Sequence, residues 1–251
     1  MISIEYLKAI RGILDHLEKT QLPAIERAAD LAAAALTRGG TIYCSEIGHG
    51  IQGDFIGRAG GLMAVEPFKF NLAMEQKIPE TPVPEGRRGD AGAGLFDREI
   101  ETVRLAVNAG NLRAGDVMVT ASVSGRNKGP VELTLACQKK GLKVIAFTSM
   151  EYTRHVQALH PSGKKLCDVA DVVIDNGAPY GDAAVEIPGF PLKLMPVSGV
   201  AMDVAGWMIW GRLMEKMAAA GTPPSVWMSV NRKEGPDFNN QMKAAFEKRG
   251  Y

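Results

Sequence analysis

Val117-Met118-Val119-Thr120-Ala121-Ser122-Val123-Ser124-Gly125-Arg126-Asn127-Lys128 is the stretch that decides the fold. Its first five residues are short, partly β-branched and uncharged, the reading of a buried strand. The strand runs straight into Ser-Val-Ser-Gly, and a helix is predicted from about Gly129 to Lys140, closed by Gly141. Two hydroxyls at i and i+2, a glycine for a tight turn and backbone N–H groups at a helix start together make an anion cradle. The helix dipole adds partial positive charge there. Ser and Asn also favour plain helix caps, and spacing alone leaves both readings open.

The same alternation continues on either side. Downstream, Lys143–Phe147 is a strand ending at Thr148-Ser149, and Asp171–Asp175 is another. Upstream, strands are predicted at Thr41–Ser45 and Leu62–Val65, with helices over 4–19, 22–37, 51–59 and 97–109. Strand–helix alternation implies an α/β three-layer sandwich with a five-stranded parallel sheet. Right-handed crossovers put every strand C-terminus on one edge, where ligands bind in such sheets.

The chain reads as one domain over 1–251: N-terminal helices in 1–38, an α/β core in 39–195 and C-terminal helices in 196–251. A Pro- and Gly-rich loop, 67–94, interrupts the core, and loops of that length are usually functional or disordered. The helix over 198–219 carries Val200, Val204, Met208, Ile209, Leu213, Met214 and Met217, together with Trp207 and Trp210. Apolar positions on more than one face imply burial against the sheet and against a second copy, hence a homodimer or larger assembly. The alternative is a core helix of a monomer.

Composition excludes several classes. Apolar residues make up 46% and charged residues 23% of the 251, ordinary for a globular protein. A net charge of +1, with both signs interspersed, gives no footprint for nucleic acid. Cys44, Cys137 and Cys167 have no CxxC spacing, and no His–Asp/Glu set has metal spacing, so neither metal nor cofactor is expected. The N-terminus lacks a signal-peptide core, and the apolar run Val197–Met217 is broken by Asp203, Arg212, Glu215 and Lys216. A cytoplasmic protein without membrane contact is expected.

A family resemblance sharpens the cradle. SIS (sugar isomerase) domains carry a Ser-x-Ser-Gly-x-Thr loop after a strand, and Asn127 stands here in the Thr-like position. The whole chain resembles the UPF0309 type of sugar isomerase domain-containing proteins. The matching runs are Gly39–Tyr43, Gly48-His49, Arg58–Gly61, Gly115–Val117, Ser124–Asn127, His160–Lys164 and Pro179–Glu186. The resemblance implies a flavodoxin-like SIS fold and a sugar-phosphate ligand. It places Gly48, Ser122, Ser124, Gly125, Arg126, Asn127, Thr148, Ser149 and Ser198 around that ligand. For Thr148-Ser149 the competing reading is a capping pair, and for His49 a structural histidine.

Aldose–ketose isomerisation needs a base to move a proton between adjacent carbons. Glu46, His49, Asp182 and Glu186 are the candidates. The first loop departs from the group, which reads Gly-Thr-Gly-His-Ser where this chain has Glu46-Ile47-Gly48-His49-Gly50. A carboxylate near a phosphate repels it, so Glu46 either points away, bonds sugar hydroxyls, acts as the base, or signals a less anionic ligand. The leading expectation is an isomerase of a phosphorylated sugar, including amino sugars. A non-catalytic sugar-phosphate sensor and a sugar-phosphate lyase or etherase are the alternatives. Only about forty residues precede the first strand and they are not basic, which argues against a DNA-binding head.

Overall fold

The computed structural model describes residues 1–49, 52–71 and 97–251. Gly50, and most of the predicted loop 67–94, lie outside the described residues. Five parallel strands form the central sheet: β1 (Ile42–Gly48), β2 (Val65–Phe68), β3 (Val117–Ala121), β4 (Lys143–Thr148) and β5 (Val172–Asp175), in the order β2-β1-β3-β4-β5. This is the flavodoxin-like order, in which the chain reverses direction between β1 and β3 and opens a crevice at the strand C-termini.

Period-two alternation sorts the strand side chains into two layers. Val117, Val119 and Ala121 of β3, with Ile145 and Phe147 of β4, face α2 (Leu22–Thr37) and α7 (Ser198–Ala219). Met118 and Val144 point the other way, toward α3 (Arg98–Ala109) and α4 (Lys128–Lys139). Every residue of β3 is buried, as its uncharged sequence implies. N-terminal α1 (Ile2–His16) joins α2 through a π-helical turn at Leu17–Gln21. Short helices α5 (Met150–Arg154) and α6 (Leu166–Val169) fill the path from β4 to β5. An antiparallel hairpin, β6 (Ala183–Val185) and β7 (Leu194–Pro196), precedes α7, and α8 (Gly235–Arg249) closes the chain.

Two expectations are corrected. The helix predicted over 51–59 is only a 3-10 turn at Gln52–Asp54, because Gly57 and Gly60 take φ of +68° and +80°, which break a helix. The strand predicted at Leu62–Val65 begins at Val65. The preceding Gly60–Met63 is drawn into antiparallel pairing with Ser225–Trp227, where Met63 N–H donates to the Ser225 carbonyl at 2.9 Å and Trp227 N–H to the Gly61 carbonyl at 2.9 Å. Helix α7 keeps part of its apolar surface open: Val200 is exposed, and Val204, Trp207, Met208 and Met214 are only partly buried. It packs beside α2 on one face of the sheet, and Arg212 bonds Glu26 of α2 at 2.6 Å. The hydrogen bond from Arg212, reinforced by Lys216, holds the Glu26 carboxyl down at about 2. Among the described residues no helix is long and apolar enough to cross a membrane.

Candidate functional site

Five consecutive carbonyls of the loop after β3 are tied into the protein. The Ser122 carbonyl accepts from Gly125 N–H at 3.0 Å and that of Val123 from Ser149 N–H at 2.9 Å. The Ser124 carbonyl accepts from the Thr153 hydroxyl at 3.0 Å, Gly125 from Leu166 N–H at 2.8 Å and Arg126 from Leu159 N–H at 3.0 Å. With the carbonyls held inward, the N–H groups of Ser124, Arg126 and Asn127 donate to no acceptor among the described residues. Neither do the hydroxyls of Ser122 and Ser124 have a protein partner there. Successive unpaired amides of this kind form an anion-binding concavity. Gly125 is required: its φ is +64°, and a Cβ would lie 2.9 Å from Thr148 Oγ1 and 3.1 Å from Thr153 Oγ1.

Thr148 and Ser149 lie under the cradle, not at its open face. Both are fully buried. Thr148 Oγ1 donates to the Val123 carbonyl at 3.3 Å, and the Ser149 hydroxyl donates to Ala178 O while capping α5 through Tyr152 N–H. Their side chains support the loop from beneath. His160 performs a related task at a distance. Its Nε2 sits 2.9 Å from Glu132 of α4, which also accepts from Arg104 at 2.8 Å. This buried network anchors the strap 159–166, which supplies the donors for the Gly125 and Arg126 carbonyls.

The helix start is less open than expected. Gly129 N–H of α4 donates to Glu99 Oε1 at 2.7 Å, and Lys128 pairs with Asp97. Asn127 has the backbone of a cap residue, but its exposed side chain makes no capping bond. Arg126 is half-buried, forms no ion pair among the described residues and keeps an unpartnered Nε.

At the neighbouring strand end, β1 closes on the cradle through Gly48. Its φ is +106°, and a Cβ would lie 2.3 Å from the Ala121 carbonyl. His49 N–H donates to the same carbonyl at 2.7 Å, which sets His49 beside the cradle at the β1/β3 crevice.

The other expected catalytic residues have partners of their own. Glu46 is half-exposed and pairs with Lys69 at 2.6 Å, since the Ser45–Phe68 register puts the two side by side on parallel strands. Asp182 caps α7: its carboxylate accepts from Ser198 N–H at 2.9 Å and from the Ser198 hydroxyl at 2.7 Å. Ser198 is buried, with its hydroxyl proton given to Asp182. Glu186 is 84% exposed on the hairpin, 3.8 Å from Lys193. Among the described residues no three His, Cys, Asp or Glu side chains converge on a metal-sized site.

A model of the SIS domain matches residues 5–149, more than half of the chain. The chain belongs to the SIS-domain family. UPF0309 proteins resemble it over nearly their full length. A UPF0309 protein of Halalkalibacterium halodurans is 33% identical over 243 residues, covering 94% of this chain and 93% of that protein. A UPF0309 protein of Caldanaerobacter subterraneus is 30% identical over 250 residues, covering 97% of each. Among solved structures, phosphoheptose isomerase from Neisseria gonorrhoeae superposes with a TM-score of 0.51 at 17% identity, covering 85% of this chain and 95% of that one. That likeness shows the shared SIS fold.

Two carboxylates near the cradle were missed in the sequence. Glu99 stands at the start of a helix that follows a Pro/Gly-rich segment, with no motif around it. Asp203 sits inside the apolar run of α7, where it reads only as an interruption.

Proposed function

We propose that this SIS-domain protein binds a sugar phosphate, with the phosphate on the Ser122–Asn127 loop and the sugar reaching across the crevice toward His49, and that it interconverts the aldose and ketose forms. The observation that carries the binding is the row of tied carbonyls, which leaves three amides and two serine hydroxyls without a partner among the described residues and available to an anion. Arg126 supplies a nearby positive charge without a counter-ion among the described residues. The topological switch point is the place where sheets of this order take their ligands.

A second reading has an observation in its favour. Glu46, Asp182 and Glu186 are occupied in an ion pair, a helix cap and an exposed hairpin, which suits a sensor that binds sugar phosphates without turning them over. Thermal-shift screening of phosphorylated and free sugars tests binding, because a ligand raises apparent stability by mass action. NMR of the bound sugars then separates turnover from binding alone. Ser124→Ala is the specific variant. A hydrogen bond to a charged group is worth about 1.5–3 kcal/mol, so affinity for the bound sugar phosphate is expected to fall about tenfold or more with the fold intact. Unchanged affinity removes the cradle from the site.

A further inference from the structure

Asp203 is a half-buried carboxylate with no hydrogen bond and no ion pair among the described residues. Most acidic side chains of this protein solve their burial locally, with a lysine, an arginine or backbone amides. Asp203 does not, and its place is set by packing that leaves little freedom.

One helical turn further along α7, Gly206 meets Phe55 so closely that a Cβ would lie 2.0 Å from the ring. Phe55 is held edge-on against Trp207 and Trp210, with ring centroids 6.2 Å and 5.9 Å away. The segment 52–58 is thus clamped to α7, and His49, Asp54 and Arg58 are the charged groups near enough to act on Asp203. Asp54 and Arg58, themselves paired at 3.0 Å, come from that segment, and His49 comes from the end of β1. His49 in turn shares the Ala121 carbonyl with the root of the cradle. On the helix itself, Ala201 packs in one cluster with Val123 of the cradle loop, which places the first turns of α7 against that loop.

We propose that Asp203, set beside His49 at the β1/β3 crevice, is the catalytic residue that carries the proton between adjacent carbons of the bound sugar. The inference rests on the isomerase reading above. The Asp203 carboxylate removes the proton from the carbon next to the carbonyl. The released electron pair forms the carbon–carbon double bond of an enediol, and the carbonyl oxygen takes a proton from His49. His49 then recovers a proton from the neighbouring hydroxyl, and Asp203 returns its own to the former carbonyl carbon. Nothing is oxidised or reduced overall, and no co-reactant is needed.

Burial, aided by the Asp54 carboxylate, holds the Asp203 carboxyl above the usual aspartate range, with His49 and Arg58 pulling the other way. A base raised in this way binds a proton better.

The test uses the full chain with phosphorylated pentoses, hexoses and heptoses, first by thermal shift and then by proton NMR in D2O. NMR reads solvent exchange at the carbon next to the carbonyl. With a sugar that binds, Asp203→Asn is expected to keep affinity within about threefold and to lower exchange by about 10²–10⁴-fold, the usual range for a general base. Asp203→Glu is expected to recover part of it. The wild-type rate is expected to fall on the acid side with a midpoint above the ordinary aspartate range, and Asp203→Asn to lose that limb. Thermal melts of both variants report folding. If a sugar binds and exchanges but Asp203→Asn exchanges at the wild-type rate, the role of Asp203 is overturned and the binding site stands. If a sugar binds without exchange in the wild type, the sensor reading replaces the base. If no phosphorylated sugar binds, the sugar-phosphate reading falls and the base with it.

Discussion

Replacing Gly48 with Ala tests whether the junction between β1 and the cradle is as rigid as its geometry implies. Gly48 has φ of +106°, a conformation that side-chain-bearing residues rarely adopt. A Cβ there would sit 2.3 Å from the Ala121 carbonyl oxygen and 2.9 Å from Pro130 Cγ. Neither neighbour can retreat cheaply. The carbonyl accepts from His49 N–H at 2.7 Å, and Pro130 is locked in the first turn of α4. Backbone strain of this kind costs about 1–3 kcal/mol, and forcing a methyl into a packed site costs about 1–3 kcal/mol more. Reduced freedom of the unfolded chain returns less than about 1 kcal/mol. The net loss is about 1–6 kcal/mol, or on the order of 10 °C in Tm for a chain of this length. Urea denaturation with linear extrapolation measures it. The control is Gly12→Ala in α1, where a Cβ meets nothing within 4 Å. That variant is expected to gain about 0.5–1 kcal/mol from helix propensity alone. A Gly48→Ala loss below about 1 kcal/mol would refute the reasoning.

Asp182→Ala removes the acceptor of Val197 N–H, Ser198 N–H and the Ser198 hydroxyl, at a position with φ of +65° that Asp and Asn tolerate better than Ala. A stability loss of about 1–3 kcal/mol is expected, with Asp182→Asn recovering most of it in the same denaturation assay. Equal stability of the Ala variant and the parent would show that the cap carries no weight. Glu46→Gln breaks an exposed ion pair with Lys69, so the change in stability is expected to stay below about 1 kcal/mol. Sugar-phosphate affinity by titration calorimetry is expected to hold within about twofold, and a change beyond about tenfold would return Glu46 to the ligand.

Local sequence carried the central unit of the fold. Val117–Ala121 is uncharged and compact, ends in a serine–glycine turn and is followed by a helical pattern, so strand, turn and helix appear at the expected places. The helices at 22–37 and 198–219 and the strands at 143–148 and 172–175 follow for the same reason, since burial periodicity is a local property. Tertiary structure decided what periodicity cannot encode. Met63 found its partner at Ser225, far along the chain, so β2 begins later than its apolar run suggests. The cradle sequence left a helix cap and an anion site equally open. The donors that turn its carbonyls inward come from Ser149, Thr153, Leu159 and Leu166, on segments that meet it only once the sheet has formed. Glu46, Asp182 and Glu186 are acidic residues in polar loops or at a strand end, and nothing nearby in sequence separates a base from a cap or a surface ion pair. Asp203 lay hidden for the converse reason: the charged groups that act on it come from β1 and from the segment that Phe55 clamps onto α7. A side chain's chemistry is set by the groups around it in space, and here those groups are contributed by residues distant in the chain.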